Sequence, residues 1–506
     1  MLLAFYALAL TALALHAPAA IWSPEARAFL VVIGAVGASR WSWGFVHLAR
    51  SLRYRRRVFA CWRRAVERLA AHAADDDTGR LRLLGPEAFI VVTSYRIRPE
   101  TTAAMLRAAV AEAIDCGLRV TIVVSLVEPA DTRLVKALFH ALTPPERVSL
   151  ALVRLDPRGK RGALAVALRA VSRLRPHPEA GVVVMDGDTV LPPGTLRRCL
   201  PFFTLLPKVM GLTTDQDAVV AGGPLITAWH RLRFAQRHLV MSSVALSGRL
   251  LTMTGRMAIF RARVATHPGF IRRVEDDALD HWRLGRVPLL TGEDKSTWLW
   301  LLQNRCRMLY VPDVRVLTIE HPPSPSFVKA STSLMLRWFG NMLRAGSQAL
   351  ALGPTRTSGF LWWCLIDQRL SMWTPLVGPT AALLVGLAGA PTFLYAYGLW
   401  VLASRLGQTL LLLTVRDTVS GLWPFLLYYN QVYGALVKTW VLFRPDRQRW
   451  TRQNIRLGPA GRGRAWVQSL VSGYLHVLAL AALVTGVGFA TGALTLSPGR
   501  LLGDLF

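Results

Sequence analysis

The sequence predicts an α/β fold: a doubly wound, mostly parallel sheet domain inserted between α-helical transmembrane segments. Three observations predict it. Apolar runs long enough to cross a bilayer stand towards both ends of the 506-residue chain. Between them, short apolar runs alternate with helical patterns. The chain is 52% hydrophobic and only 18% charged, below the roughly 25% charge of soluble domains. That composition excludes a disordered chain and a compositional repeat.

Residues 1–48 hold two predicted membrane helices. Residues 2–22 are apolar apart from His16. A cleaved leader is the competing reading, because Ala17, Pro18, Ala19 and Ala20 make a small-residue site, but no Lys or Arg precedes the apolar run. Residues 29–46 follow, with Arg40 inside. Then come Arg50, Arg53, Arg55, Arg56, Arg57, Arg63 and Arg64, a cluster that the positive-inside rule places in the cytoplasm.

Residues 49–330 read as the cytoplasmic sheet domain. AFIVVT (88–93) is a buried strand, 99–116 a helix, and RVTIVVS (119–125) a second strand. Asp131 is placed to cap a helix running through His140. Residues 148–155 give a third strand, 161–174 a helix, and GVVVM (181–185) a fourth strand. Ligands on such sheets bind at the carboxyl ends of the strands, so chemistry-bearing residues should follow these runs directly.

Residues 331–372 read as interfacial amphipathic helices, and 373–506 as C-terminal membrane helices. The span candidates are 372–391, 393–415 (with Arg405 inside), 419–443 and 466–491. A basic loop at 444–464 carries Arg444, Arg447, Arg449, Arg452, Arg456, Arg462 and Arg464, and is expected on the cytoplasmic side. Three candidates between two cytoplasmic segments give an odd number of crossings. One is therefore re-entrant or interfacial, or residues 360–372 join a span.

The chain has 60 Lys+Arg against 30 Asp+Glu, a net charge of +30, and only six of the cations are Lys. Such an excess reflects a GC-rich genome or attraction to something anionic: lipid headgroups, a phosphorylated substrate, an acidic polymer or nucleic acid. The densest clusters flank membrane spans rather than the sheet domain, which argues against a nucleic-acid role. The five cysteines are widely spaced with no C-x-x-C pair, so neither a disulfide framework nor a zinc site is expected, and the bulk of the chain should face a reducing compartment.

Four motifs can carry chemistry. Asp186 and Asp188 flank Gly187 directly after the fourth strand, where two hard carboxylates can share Mg2+ or Mn2+ with a diphosphate. Gly159, Lys160, Arg161 and Gly162 open a helix, a place that receives phosphate or is a solvated loop. Glu293 and Asp294 head an apolar helix, as caps or as a general base. Arg337 and Trp338 lie on an amphipathic stretch, either at a membrane interface or holding phosphate and a sugar ring.

In order, GKRGALA (159–165), MDGDT (185–189), TGRMAIF (254–260), GEDK (292–295) and LMLRW (334–338), followed by a membrane block, resemble the processive family 2 glycosyltransferases. VVTSYR (91–96), LRFAQRH (232–238), RWFGNMLR (337–344), FLWWCLIDQRLSMW (360–373) and RPDRQRWTRQ (444–453) look most like the bacterial alginate polymerase branch, the mannuronan synthases. The resemblance implies a glycosyltransferase A-type nucleotide-sugar domain. It implies that Asp294, with Glu293 beside it, is catalytic, and that Asp186 and Asp188 hold the metal. Lys160, Arg161 and Arg337 would meet the donor phosphates. Trp338, Gly255 and Arg256 would meet the acceptor, and Thr93, Ser94 and Tyr95 the nucleotide. The implied substrates are a nucleotide-sugar, GDP-mannuronate in this branch, and a growing β-linked polysaccharide. The implied setting is the lipid of a bacterial inner membrane, beside a co-polymerase subunit that senses cyclic di-GMP.

The chain departs from the family pattern twice. The second strand ends without the usual Asp near the nucleobase, leaving Ser125, Glu128 or Asp131 as substitutes, and Leu334 replaces the Gln of Q-x-x-R-W. Arg452 and Arg456 match the spacing of a cyclic-di-GMP arginine pair, but a membrane helix follows them, so they read as a lipid- or partner-facing loop. A polyanionic product would place Arg369 or Arg405 near its exit path. Two other readings are a single-addition enzyme with a lipid-phosphate acceptor and a non-enzymatic transporter. Neither calls for R-W before the membrane block together with Asp186, Asp188 and Asp294 at element ends.

Overall fold

The structure, a computed structural model, describes residues 1–22, 27–73, 77–154, 159–450, 455–457 and 462–495. The chain forms two compact units. One comprises Met1–Val46, Ile366–Arg444 and Pro459–Phe506; the other comprises His47–Leu365 and Pro445–Gly458.

The second unit is built on an eight-stranded sheet. Its strands are β1 (Glu87–Thr93), β2 (Arg119–Leu126), β3 (Val148–Arg154), β4 (Gly181–Asp186), β5 (Thr189–Val190), β6 (Val209–Val220) and β7 (Met257–Arg261). After the separate hairpin β8 (Ala278–His281) and β9 (Gly285–Pro288), the long β10 (Arg307–Glu320) completes it, in the order β3-β2-β1-β4-β7-β6-β10-β5. The half from β3 to β4 is parallel, joined by helices Pro99–Asp115, Pro129–Ala141 and Gly159–Arg173. Every residue of β1 is buried, as expected of a central strand covered on both faces, which is why it reads as an unbroken apolar run. The other half is mixed: β7 runs antiparallel to β4 and β6, β10 parallel to β6, and β5 antiparallel to β10.

One local expectation changes. Pro129 takes the first position of its helix and Glu128 the cap, so Asp131 lies inside the first turn. A proline without an N–H is well suited to that first position, and it fixes the start two residues before the Asp.

In the other unit, the predicted first span is shorter than expected. The apolar helix Leu2–Leu15 has 14 residues, about 21 Å at 1.5 Å per residue, against a hydrocarbon core about 30 Å thick. Pro18 and the short turn Ala19–Trp22 interrupt it. Among the described residues, four helical stretches are long and apolar enough to cross a membrane: Arg27–His72, Gly359–Leu387, Pro391–Thr414 and Ala465–Thr491. The 360–372 stretch, expected as an interfacial helix or as part of a span, is continuous with one of these candidates, Gly359–Leu387. Helix Trp423–Leu442 falls outside this set, because Asn430, Gln431 and Lys438 make it too polar. Ala28, Val32, Ala381, Ala382, Val385, Phe393 and Val487 form this unit's apolar cluster. Arg40 pairs with Asp367 at 2.5 Å. All five cysteines are free thiols.

Candidate active site

The site lies at the carboxyl ends of β1 and β4. Asp186 is the last residue of β4, in register with Thr93 at the end of β1, and the Gly187 amide donates to Thr93 O at 3.0 Å. A β-carbon at Gly187 would lie 2.7 Å from Ile97 Cδ1 and 3.0 Å from Ser94, so only glycine lets the Asp-Gly-Asp turn close against β1. Asp188 is buried; so are Thr93 and Ser94, while Tyr95 is half-buried beside Arg96. The expected nucleotide residues thus border the carboxylate turn.

Lys160, in the first turn of helix Gly159–Arg173, places its ammonium between two carboxylates. It lies 2.6 Å from Asp186 Oδ1 and bonds Glu293 Oε1. Burial, with Asp188 and Glu293 nearby, pushes the Asp186 carboxyl up to about 6 even though Lys160 pulls it down. Burial would also raise Glu293, but the Lys160 charge and hydrogen bond outweigh it and hold Glu293 below its ordinary range. Two carboxylates share one ammonium, and Asp188 adds a third negative charge near Asp186. Among the described residues no group of three or more ligating side chains surrounds one point. Two carboxylates completed by phosphate oxygens is the donor set Mg2+ or Mn2+ accepts, so the residues fit such an ion.

Glu293 and Asp294 occupy the first turn of helix Glu293–Gln303, where the helix dipole favours carboxylates. Gly292 caps it at φ +90°, and a β-carbon there would lie 2.9 Å from Asn341 Cγ. The turn is held from two sides. On one, Asn341 Oδ1 accepts from Thr291 Oγ1 at 3.0 Å and from Arg344 Nη2 at 2.6 Å, and Arg344 also donates to Pro445 O. On the other, Arg161 donates to Thr291 O, Ser296 Oγ and Val274 O, each at 2.9 Å. Arg161 was expected on the donor phosphates. It is only 4% exposed, and its bonds fasten this turn instead. Segment 445–450 packs beside the same turn: Gln448 donates to Pro288 O at 2.7 Å and accepts from the Leu290 amide at 2.9 Å.

Gly255 joins the two halves of the site. A methyl there would lie 3.4 Å from Lys160 Nζ, 3.5 Å from Glu293 Oε1 and 3.6 Å from Asp186 Oδ2. Its neighbour Arg256 turns away, pairing with Glu320 and approaching Gln216 Oε1 at 3.5 Å. Trp338 is stacked on the fully buried Trp229, with ring centroids 5.7 Å apart, and the Arg233 guanidinium lies 4.4 Å from its ring centroid. The ring expected to carry a sugar therefore already has protein on part of its surface. Arg337 lies one residue before it on helix Phe327–Ala351, within electrostatic reach of Glu320.

The sequence reading missed the residues on helix Pro224–Ala245 and on β6. Arg233 and Arg237 stand one turn apart on that helix, and Arg237 donates to Gln216 Oε1 at 3.2 Å. Arg237 and Lys295 both lie within electrostatic reach of Asp294. The one available signal was the four-residue spacing of Arg233 and Arg237 in LRFAQRH. At the end of β2, Ser125 is buried and Glu128 pairs with Arg96 at 3.3 Å. Of the two arginines expected on a lipid- or partner-facing loop, Arg452 lies outside the described residues and Arg456 lies on a short strand, Ile455–Leu457.

Residues 86–341 match the family model described as "Glycosyltransferase like family 2". The chain is 46% identical over 453 residues to "Glycosyltransferase alg8" of Pseudomonas syringae pathovar tomato, covering 90% of each chain. It is 44% identical over 441 residues to the protein of the same name from Azotobacter vinelandii, covering 87% of each. Among solved structures, a mannosyltransferase from Pyrobaculum calidifontis in complex with GDP-Man and Mn2+ is similar at 20% identity and a TM-score of 0.45, covering 74% of this chain and 97% of that one.

Proposed function

We propose, from the premise that this chain belongs to the family 2 glycosyltransferases and is a glycosyltransferase, that it is a processive inverting polymerase of an anionic exopolysaccharide. The donor in this reading is GDP-mannuronate and the product β-1,4-mannuronan, the precursor of alginate. The observation that carries it is the convergence of Asp186, Glu293 and Lys160 around Gly255, with Asp294 next in chain. One centre can then hold a nucleotide diphosphate while a neighbouring carboxylate faces an acceptor.

Asp294 takes the proton of the acceptor hydroxyl as that oxygen attacks the anomeric carbon, and the nucleoside diphosphate leaves from the opposite side. One displacement inverts the anomer, so an α-linked donor gives a β-linked polymer. Thr93, Ser94 and Tyr95 border the nucleotide, and Lys160 reaches the diphosphate when it exchanges carboxylate for phosphate. Arg337 and Trp338 hold the donor phosphate and the acceptor, with Arg256 beside them. Asp186 and Asp188 would hold Mg2+ or Mn2+, which neutralises charge developing on the leaving diphosphate.

The setting is a bacterial inner membrane, crossed several times, with the catalytic unit in the cytoplasm. Two stretches long and apolar enough to cross, Gly359–Leu387 and Pro391–Thr414, an even number, precede the segment beginning at Pro445, which groups with the catalytic unit. That parity and the Arg-rich segments at 50–64 and 444–464 support the orientation. The same reading implies a co-polymerase partner that senses cyclic di-GMP.

The test supplies membranes holding the full chain and its co-polymerase with labelled GDP-mannuronate and, separately, with labelled UDP-sugars. Label from GDP-mannuronate should enter polymer, and Asp294→Asn should abolish it. Incorporation from UDP-sugars alone would replace the donor and keep the family. Polymerisation by Asp294→Asn at the wild-type rate would overturn the base assignment.

A further inference from the structure

On the Asp294 side of the cleft, two arginines have no ion pair of their own among the described residues. Arg233, Arg237, Arg256 and Lys295 are all half-buried there. Arg256 is paired with Glu320 and feels Asp186 and Asp188 as well, Lys295 feels Asp294, and Arg237 feels Asp294 and Asp215, the latter already bonded to Arg315. Arg233 has only aromatic rings against its guanidinium: Trp338 at 4.4 Å, Trp229 at 5.0 Å and Phe339 at 5.7 Å. Arg237 bonds a neutral amide, Gln216. Neither forms an ion pair among the described residues. The pair is i and i+4 on helix Pro224–Ala245, so both lie on one face of it. Holding several guanidiniums in a half-buried pocket is costly unless an anion completes it.

We infer that Arg233 and Arg237 form a carboxylate-reading subsite for the uronate units of the acceptor chain, which sets the enzyme's preference for an acidic polymer. This rests on the polymerase reading given above. The position favours acceptor over donor. The candidate diphosphate groups Lys160 and Asp186 converge with Glu293 on Gly255, and neither arginine is among the atoms nearest that point. Arg233 instead sits on Trp338, and Arg237 lies within reach of Asp294, the group that must meet an acceptor hydroxyl. A planar guanidinium matches a carboxylate with two parallel hydrogen bonds, and stacking on aromatic rings presets its plane. Burial and mutual repulsion push Arg233 down to about 9 and Arg237 to about 10, which agrees with cations awaiting an anion.

The test uses purified full-length protein and three probes: an end-labelled oligomannuronate, the same oligomer after reduction of its carboxyl groups, and GDP. Wild type should bind the acidic oligomer about tenfold or more tighter than the neutral one. The double variant Arg233→Gln/Arg237→Gln should lose most of that preference, while GDP affinity changes less than about twofold, which also reports a folded site. Arg233→Lys/Arg237→Lys, which keeps the charge, should retain part of the preference. Three results would overturn the inference: an unchanged preference in the Gln variant, equal loss of both oligomers, or loss of GDP affinity in proportion. The donor assignment is judged separately, by incorporation of GDP-mannuronate into polymer by wild-type membranes. Failure there with an Arg-dependent acidic preference removes the donor and leaves the subsite.

Discussion

Lys295 follows Asp294 in the first turn of helix Glu293–Gln303 and is a neighbour whose charge changes with pH. Burial pushes the Lys295 ammonium down to about 8, although Asp294 pulls it up. As pH rises through that value, Lys295 becomes neutral and Asp294 loses a neighbouring cation. Polymerisation should therefore fall above about pH 8, and Lys295→Arg should move that alkaline limb upward; a pH–rate profile on both proteins checks it. Asp294→Asn should lower the rate about 100-fold or more while donor binding, read by GDP titration, stays. Asp188→Asn should instead lose the activity together with the response to added Mg2+ or Mn2+, and a chelator should abolish wild-type activity reversibly. The residues named from sequence were those that end a strand or open a helix, because an Asp after GVVVM or a Glu-Asp before an apolar helix marks its own position. Arg161 lies in such a motif too, yet its side chain is buried under the turn. Spacing fixes where a residue enters a fold but not which way a long side chain turns.

The elements legible in the sequence were the continuous apolar ones. β1, β2 and β4 bury Val, Ile and Ala with few polar interruptions, and their runs were plain. β6 and β10 were not. β6 carries Thr213, Thr214, Asp215 and Gln216 in its interior, a polar string that reads as a loop until its partners are known. Asp215 is buried because Arg315 at 3.0 Å, Tyr310 at 3.3 Å and His238 at 3.0 Å surround it, and all three come from distant chain segments. Helix Pro224–Ala245 escaped for a similar reason, since His230, Arg233, Arg237 and His238 blur its apolar face. In the membrane unit, Arg40 and Asp367 are charges on apolar helices, where an unpaired charge is expensive. Asp367→Ala should reduce thermal stability in detergent by less than the roughly 3–5 kcal/mol of a fully buried pair, because Arg40 is partly exposed. Arg40→Asp with Asp367→Arg should recover part of the loss. Arg405 bonds Gln408 at 2.5 Å inside helix Pro391–Leu411. If it lines the product's path, Arg405→Ala should shorten the polymer without changing GDP affinity, as sizing chromatography would read.

For the whole molecule, the excess of +30 divides into parts with different physical roles. Arginines at 50–64 and 444–464 stand in sequence beside stretches apolar enough to cross a membrane, which fits the proposed orientation. Lys160 pairs with Asp186 and Glu293, Arg237 lies within electrostatic reach of Asp294, and Arg256 pairs with Glu320. The division of labour among these cations needed the fold, since Arg256 pairs with Glu320 across 64 residues of sequence. The central claim is that one cleft performs repeated addition rather than a single transfer. The size of the first labelled product tests it most directly. After a short pulse of labelled GDP-mannuronate, wild-type membranes should hold the label in water-soluble, high-molecular-mass β-linked polymer, with little in short products, and Asp294→Asn membranes should hold none. Label confined to a lipid-extractable single-sugar product would contradict it.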